Sequence, residues 1–303
     1  MEFLSPKYLS EAYDILDKRG DDLKICAGLT HLLRFYSDFP NELSHSYKGF
    51  LHVGELAALA ECREENNRFS LGSTATISAL AADPYLARYA NAVLEAAAVT
   101  STPQIRNRRT LGGEVAWGSY HSPLICALLA MEARVKVRFR GKSGAAGREE
   151  TFELHELFVG ETKRESKDGK VFESRNVKTK AQDLIVKFIL PPQQSGGFSF
   201  FRALTPKIHT ENSGVVVSVS GTAQNGTILS ARMVASGIWM KTMEETLPLD
   251  GTRMSDSYIY ERLYTFCDRY NFESVRRSGP PGGQLGLILF GLLKEGFSNM
   301  LGR

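Results

Sequence analysis

The 303-residue sequence has only four cysteines, Cys26, Cys62, Cys126 and Cys267, set far apart and without a CxxC pair. That scarcity fits a reducing compartment, where thiols act as small apolar residues. No excess of charge exists either, since Lys+Arg 37 against Asp+Glu 34 leaves a formal +3. A nucleic-acid or anionic-membrane binder draws its affinity from many clustered cations, and this balance excludes both. No apolar run approaches the roughly 18 residues of a membrane-spanning helix. The longest candidate, Leu285 to Leu293, is interrupted by Gly286 and Gly291 and ends at Lys294 and Glu295. The opening segment MEFLSPKYLSEAYDILDKRG is too acidic and polar for a secretory signal, and the expectation is a cytoplasmic protein.

Familiar catalytic signatures are missing too. There is no GxGxxG, no GxSxG and no GxxxxGK[ST], because Gly141-Lys142-Ser143 lacks its upstream glycine. The six histidines, His31, His45, His52, His121, His155 and His209, never fall in HxH or HxxxH spacing, so none proposes a metal. No triad or carboxylate pair offers acid–base chemistry, and no catalytic side chain is expected.

What is present reads as alternating helix and strand. Ser5 and Pro6 predict a helix start, Leu9, Ala12, Ile15 and Leu16 recur at helical spacing, and Gly20 closes the turn. Strands are predicted at 23–27, 51–53, 68–72, 135–139 and 184–190, with helices at 75–82, 88–99 and 123–133. Residues 160–182 carry charges of both signs and few apolar residues, which reads as an exposed hairpin or mobile loop. Pro191-Pro192 with Ser195-Gly196-Gly197 marks a domain boundary, giving domains 1–195 (subdomains about 1–60 and 61–195) and 196–303. Beyond it, 198–204, 215–221 and 228–234 alternate like strands, Asn225-Gly226 supplies a hairpin turn, and helices close the chain near 255–270 and 284–301. Phe200, Phe201, Tyr258, Tyr260 and Tyr264 read as core. An antiparallel sheet with helices is an α+β arrangement.

Two glycine-bearing loops remain, Ala27-Gly28-Leu29-Thr30-His31-Leu32-Leu33 and Gln104-Ile105-Arg106-Asn107-Arg108-Arg109-Thr110-Leu111-Gly112-Gly113-Glu114. Glycine lets backbone N–H groups approach an anion, neighbouring threonines add donors, and a nearby arginine can neutralise a pyrophosphate. Taken singly, either loop reads as a structural turn.

Together with LGSTAT at 71–76, LLAMEARV at 128–135 and LIVKFILP at 184–191, the ordered set is more specific. From the N-terminus to about residue 205 the chain resembles the FAD-binding (medium) subunit of the molybdenum hydroxylases, the xanthine dehydrogenase and carbon monoxide dehydrogenase family. The resemblance implies a vanillyl-alcohol-oxidase/PCMH-type FAD-binding fold of two α/β subdomains, plus a smaller α+β C-terminal domain. It assigns cofactor binding to Ala27, Gly28, Leu29, Thr30, His31, Leu32 and Leu33. It adds Leu71, Gly72, Thr76, Thr110, Leu111, Gly112, Gly113 and Glu114, with Leu184 and Ile185 near the flavin. The backbone amides of both loops are expected to bind the pyrophosphate. Implied partners are a molybdopterin-binding large subunit and a 2Fe-2S small subunit, with NAD or another acceptor taking the electrons. The four scattered cysteines lack iron–sulfur ligand spacing, so the electron donor belongs on another chain.

The chain departs from the family pattern at five positions. Leu29 replaces the second glycine of the first loop, and His31 replaces its aspartate. Arg109 stands for a glycine, Glu114 for an asparagine, and Pro123 for an aspartate. An acidic Glu114 beside a pyrophosphate is unfavourable unless Arg106, Arg108 or Arg109 offsets it. The departures also admit a second reading, a subunit that keeps the fold, binds FAD weakly or not at all, and serves assembly.

Overall fold

The computed structural model describes residues 2–38, 47–119, 121–141, 145–165, 171–180, 182–204, 214–237, 240–253, 258–272 and 284–301. His45, His209, Lys142 and Ser143 lie outside the described residues. The chain divides into two compact units. One comprises Met1–Ala79, Pro103–Ser119 and Glu132–Pro192, and the other Leu80–Thr102, Tyr120–Met131 and Gln193–Arg303. The longer helices are α1 (Leu9–Arg19), α2 (Thr30–Asp38), α3 (Asn91–Val99), α4 (Leu111–Trp117), α5 (Pro123–Ala130), α6 (Tyr258–Asp268) and α7 (Leu285–Leu301).

The first unit opens with a parallel sheet of β1 (Glu2–Leu4), β2 (Leu23–Cys26) and β3 (Gly49–His52), in the order β1-β3-β2. The expected start of α1 at Pro6 is corrected: the helix begins at Leu9, and Tyr8 at its N-cap makes no side-chain cap. Pairing of β1 with β3 holds the chain extended, and Glu11 reaches back from within the helix to accept from Lys7 N–H at 2.8 Å. The expected apolar face is real, and Ala12 and Leu16 pack with Leu23, Leu51, Val53, Leu56 and Leu59.

A second sheet holds β4 (Arg63–Glu65), β5 (Arg68–Gly72), β6 (Arg134–Phe139), β7 (Arg148–Glu153) and β10 (Leu184–Ile189), in the antiparallel order β4-β5-β10-β6-β7. Strand β10 is central, which suits its near-continuous aliphatic run. Within the charged stretch, β8 (Phe158–Glu165) and β9 (Val171–Val177) pair antiparallel.

In the second unit, β11 (Gly197–Leu204), β12 (Val215–Gln224), β13 (Thr227–Gly237) and β14 (Met240–Thr246) form an antiparallel meander. Asn225 and Gly226 both take left-handed backbone, φ 51° and 73°, as a two-residue hairpin turn requires. Val215, Val217, Val219, Met233 and Ala235 join Ile259, Leu263, Leu289, Leu293 and Phe297 of α6 and α7 in one core. Also against this sheet, Phe201 N–H donates to Glu95 of α3 at 2.8 Å, and Ser220 Oγ donates to the Ala130 carbonyl of α5 at 2.5 Å. Every residue of α5 is buried, which explains why PLICALLA is apolar all round. Of the expected aromatic core, Phe200 and Phe201 are buried and Tyr260 packs against it, but Tyr258 and Tyr264 are exposed. Tyr264 still meets Phe290 of α7 edge-on, at 5.4 Å between ring centroids. Among the described residues, no helix is long and apolar enough to cross a membrane.

Candidate cofactor site

Strand β2 ends at Cys26 and hands the chain to Ala27-Gly28-Leu29, from which α2 starts. His52 at the end of β3 fixes this turn, its Nε2 3.1 Å from the Ala27 carbonyl oxygen. Gly28 lies directly on the second loop, since a Cβ there would stand 1.9 Å from the Arg108 carbonyl oxygen. Leu29 takes φ 62°, left-handed backbone that costs an L residue about 1–2 kcal/mol. Burial pushes the neighbouring Cys26 thiol up to about 12, which removes it as a nucleophile.

The third segment, 71–76, runs off β5 and bridges to the second loop through Thr76 and Thr110. Leu111 N–H donates to the Ala75 carbonyl at 3.0 Å, and Gly112 N–H to the Ser73 carbonyl at 2.6 Å. Thr110 caps α4, its Oγ1 accepting from Gly113 N–H at 3.3 Å and its carbonyl from Glu114 N–H at 2.9 Å. The amides from Leu111 to Glu114 are thus committed to protein acceptors. Those of Thr30, His31 and Leu32 meet no acceptor among the described residues. The first turn of α2 therefore presents free donors at the positive end of its dipole.

Beside that turn lies a buried ionic cluster. Glu114 is only 2 % exposed, and a carboxylate that deep requires charged or donor partners. Its Oε2 is 2.8 Å from His31 Nε2 and 3.6 Å from Arg109 Nη1. Arg109, itself buried, donates from Nε to Thr30 Oγ1 at 3.4 Å, tying the second loop to the start of α2. The His31 ring stacks on Trp117 at 5.0 Å, and Phe35 meets Trp117 edge-on. Of the arginines expected to offset Glu114, Arg109 does so, while Arg108 is exposed.

Residues 1–193 match the family described as the FAD binding domain in molybdopterin dehydrogenase. The chain belongs to this family. It is the FAD-binding medium-subunit family of the molybdenum hydroxylases, and membership carries FAD as the cofactor. The nicotinate dehydrogenase FAD-subunit of Eubacterium barkeri is 24% identical over 289 residues, covering 86% of this chain and 90% of that one. Subunit alpha of the 6-hydroxypseudooxynicotine dehydrogenase complex of Paenarthrobacter nicotinovorans is 31% identical over 130 residues, 42% of each chain. Among solved structures, reconstituted CO dehydrogenase from Oligotropha carboxidovorans aligns at a TM-score of 0.76 and 17% identity, covering 100% of this chain and 98% of that chain. Quinoline 2-oxidoreductase from Pseudomonas putida 86 aligns at 0.76 and 15% identity, covering 99% and 98%. These structural likenesses carry the α+β FAD-binding fold.

The residues present fit a dinucleotide diphosphate. Besides the free amides of α2 and the Arg109 guanidinium, Ser73 Oγ and Thr74 Oγ1 are buried without a hydrogen-bond partner among the described residues. Orphaned hydroxyls of this kind suit phosphate oxygens. The two glycine-bearing loops and the 71–76 segment come together in one unit. Leu184 joins the apolar core with Leu56 and Leu59, and Ile185, also buried, pairs with Val137 across the sheet. Pro123 is the first residue of α5 in the other unit. Sequence reasoning overlooked Ser73, Thr74 and Trp117. Ser73 and Thr74 left a signal in lying within the LGSTAT segment, and Trp117 in standing three residues after Glu114 on the same helical face.

Proposed function

We propose that the chain is the FAD-carrying subunit of a molybdenum-hydroxylase-type complex and relays electrons from iron–sulfur clusters on a 2Fe-2S small subunit to NAD or another acceptor. A molybdopterin-binding large subunit carries out the substrate oxidation, and the complex works in the cytoplasm. Bound FAD takes electrons singly and releases them as a pair, which suits a station between one-electron clusters and a two-electron acceptor. This chain contributes binding and orientation. The observation that carries the reading is the set of free amides at Thr30, His31 and Leu32 beside Arg109, with Ser73 and Thr74 as unpaired donors. Helix N-termini receive phosphates through such groups. Thr110 to Gly113 contribute by holding the segments in contact, since the amides of Leu111 to Gly113 serve protein acceptors and Thr110 Oγ1 accepts from Gly113 N–H. Residues 1–195 correspond in this reading to the PCMH-type FAD-binding domain and 196–303 to the C-terminal domain, and the family match over 1–193 supports that division.

The test is the absorption spectrum of the purified chain, with FAD added if it is colourless. Tightly held stoichiometric flavin supports the proposal. A colourless protein with no FAD-dependent rise in Tm overturns it, and favours the assembly role instead.

A further inference from the structure

We propose that Glu114 competes with the cofactor's diphosphate for Arg109 and His31, so that these three residues, all departures from the family pattern, jointly set the affinity for FAD. The inference rests on FAD seating against the first turn of α2. One carboxylate oxygen of Glu114 lies 2.8 Å from His31 Nε2 and 3.6 Å from Arg109 Nη1. The same Arg109 reaches Thr30 Oγ1 at 3.4 Å, beside the free amides of Thr30, His31 and Leu32. A phosphoric anhydride bound at those amides and the Glu114 carboxylate therefore call on the same guanidinium and the same ring nitrogen. The site is nearly dry, with Glu114 2 % and Arg109 9 % exposed, so water does little to screen one anion from the other. Two anions cannot both hold the guanidinium face in that space without repelling each other. Arg109 attracts the diphosphate, and Glu114 opposes it.

A purely structural ion pair behaves differently. Breaking such a pair from either side lowers stability and disturbs the site in the same sense. Competition makes the two halves of the pair act in opposite directions on the ligand, and that difference separates the two accounts.

The experiment measures the FAD dissociation constant by flavin fluorescence quenching, with Tm recorded without added flavin, for the wild-type chain, Glu114→Gln and Arg109→Gln. Glu114→Gln is expected to lower Tm yet tighten FAD binding roughly ten-fold, the change that loss of one charged contact typically brings. Arg109→Gln is expected to weaken binding by about ten-fold or more, and to flatten its dependence on salt. Arg109→Lys, which keeps the charge, restores most of the affinity and guards against misfolding of the glutamine variant. Binding that weakens in both glutamine variants, or changes in neither, overturns the proposal while leaving FAD binding itself intact. FAD binding by Glu114→Gln alone, with none by the wild type, supports it. Absence of binding in every protein overturns the functional reading and this inference with it.

Discussion

Gly28→Ala tests whether the cofactor loops are held by backbone contact. A Cβ at this position would lie 1.9 Å from the Arg108 carbonyl oxygen and 3.2 Å from Arg109 Cα. Both are main-chain atoms on a loop pinned by hydrogen bonds from Arg109 N–H to Ile105 and from Ile77 N–H to Arg109, so no side chain can swing aside. The loops must part by more than an ångström. Overpacking of this kind costs about 1–3 kcal/mol, and the rigid neighbour places this case at the upper end. Separation also pulls Arg109 from Thr30, so FAD affinity falls with stability. Leu29→Gly in the same loop is the control. It relieves about 1–2 kcal/mol of left-handed strain but adds roughly 0.5–1 kcal/mol of chain entropy to lose on folding, and forfeits some apolar contact. Its net effect is close to zero. Unfolding by urea, followed through Trp117 fluorescence in a Trp239→Phe background, reports the unit that contains the loop. A Gly28→Ala protein within about 0.5 kcal/mol of the wild type refutes the close-approach argument, since that margin is what unremarkable surface changes produce.

Asp17 carries a pH dependence of known sign. Burial raises its pKa, but Gly147 N–H and the buried Arg138 guanidinium, 2.8 Å away, outweigh this and hold it below the ordinary 3.8. A depressed carboxylate contributes stability that is present above its unfolded pKa and lost as pH falls through the folded one. The stability gap between wild type and Asp17→Asn, of about 2 kcal/mol for a charged hydrogen bond, is therefore expected to be constant at neutral pH and to close below pH 4 in urea titrations. A gap that persists to pH 2 refutes the assignment. Thiol titration with a chromogenic disulfide should label Cys62 in the native protein and the remaining cysteines only in denaturant. Cys26, Cys126 and Cys267 are buried, and burial raises the Cys26 and Cys267 thiols to about 12. Rapid native labelling of all the thiols contradicts the packing of both units.

The legible parts of the fold are those with a strong local pattern. Strands β5, β6, β10, β12 and β13 announce themselves by aliphatic runs or alternation, and Asn225-Gly226 by its turn chemistry. Strands β4 (REE), β7 (REETFE) and β14 (MKTMEET) are sheet edges, and their charged sequences read as loop. Edge strands carry such charges to discourage pairing with other chains, so the feature that protects them also conceals them. Three-residue β1 has no periodicity to detect, and its pairing with β3 is what displaced the start of α1. Helices α3 and α5 are apolar on nearly every face, which signals burial without naming the sheet they cover.

The candidate site was legible in its glycines and opaque in its charges. Gly28, Gly112 and Thr110 follow from local spacing, and their contacts explain why those residue types stand there. The ion pair between His31 and Glu114 spans 83 residues, and no window of sequence shows it. Read along the chain, His31, Arg109 and Glu114 resemble separate losses from a family motif. In the folded protein they are one cluster: an acid at 114 is tolerable in so dry a place because the His31 ring nitrogen and the Arg109 guanidinium face it. Returning Glu114 alone to asparagine strips a buried arginine of its carboxylate, and returning Arg109 alone to glycine takes the guanidinium away from a buried carboxylate. Returning 109 and 114 together removes the buried carboxylate and its guanidinium in one step, so these two departures are coupled and do not count as independent losses.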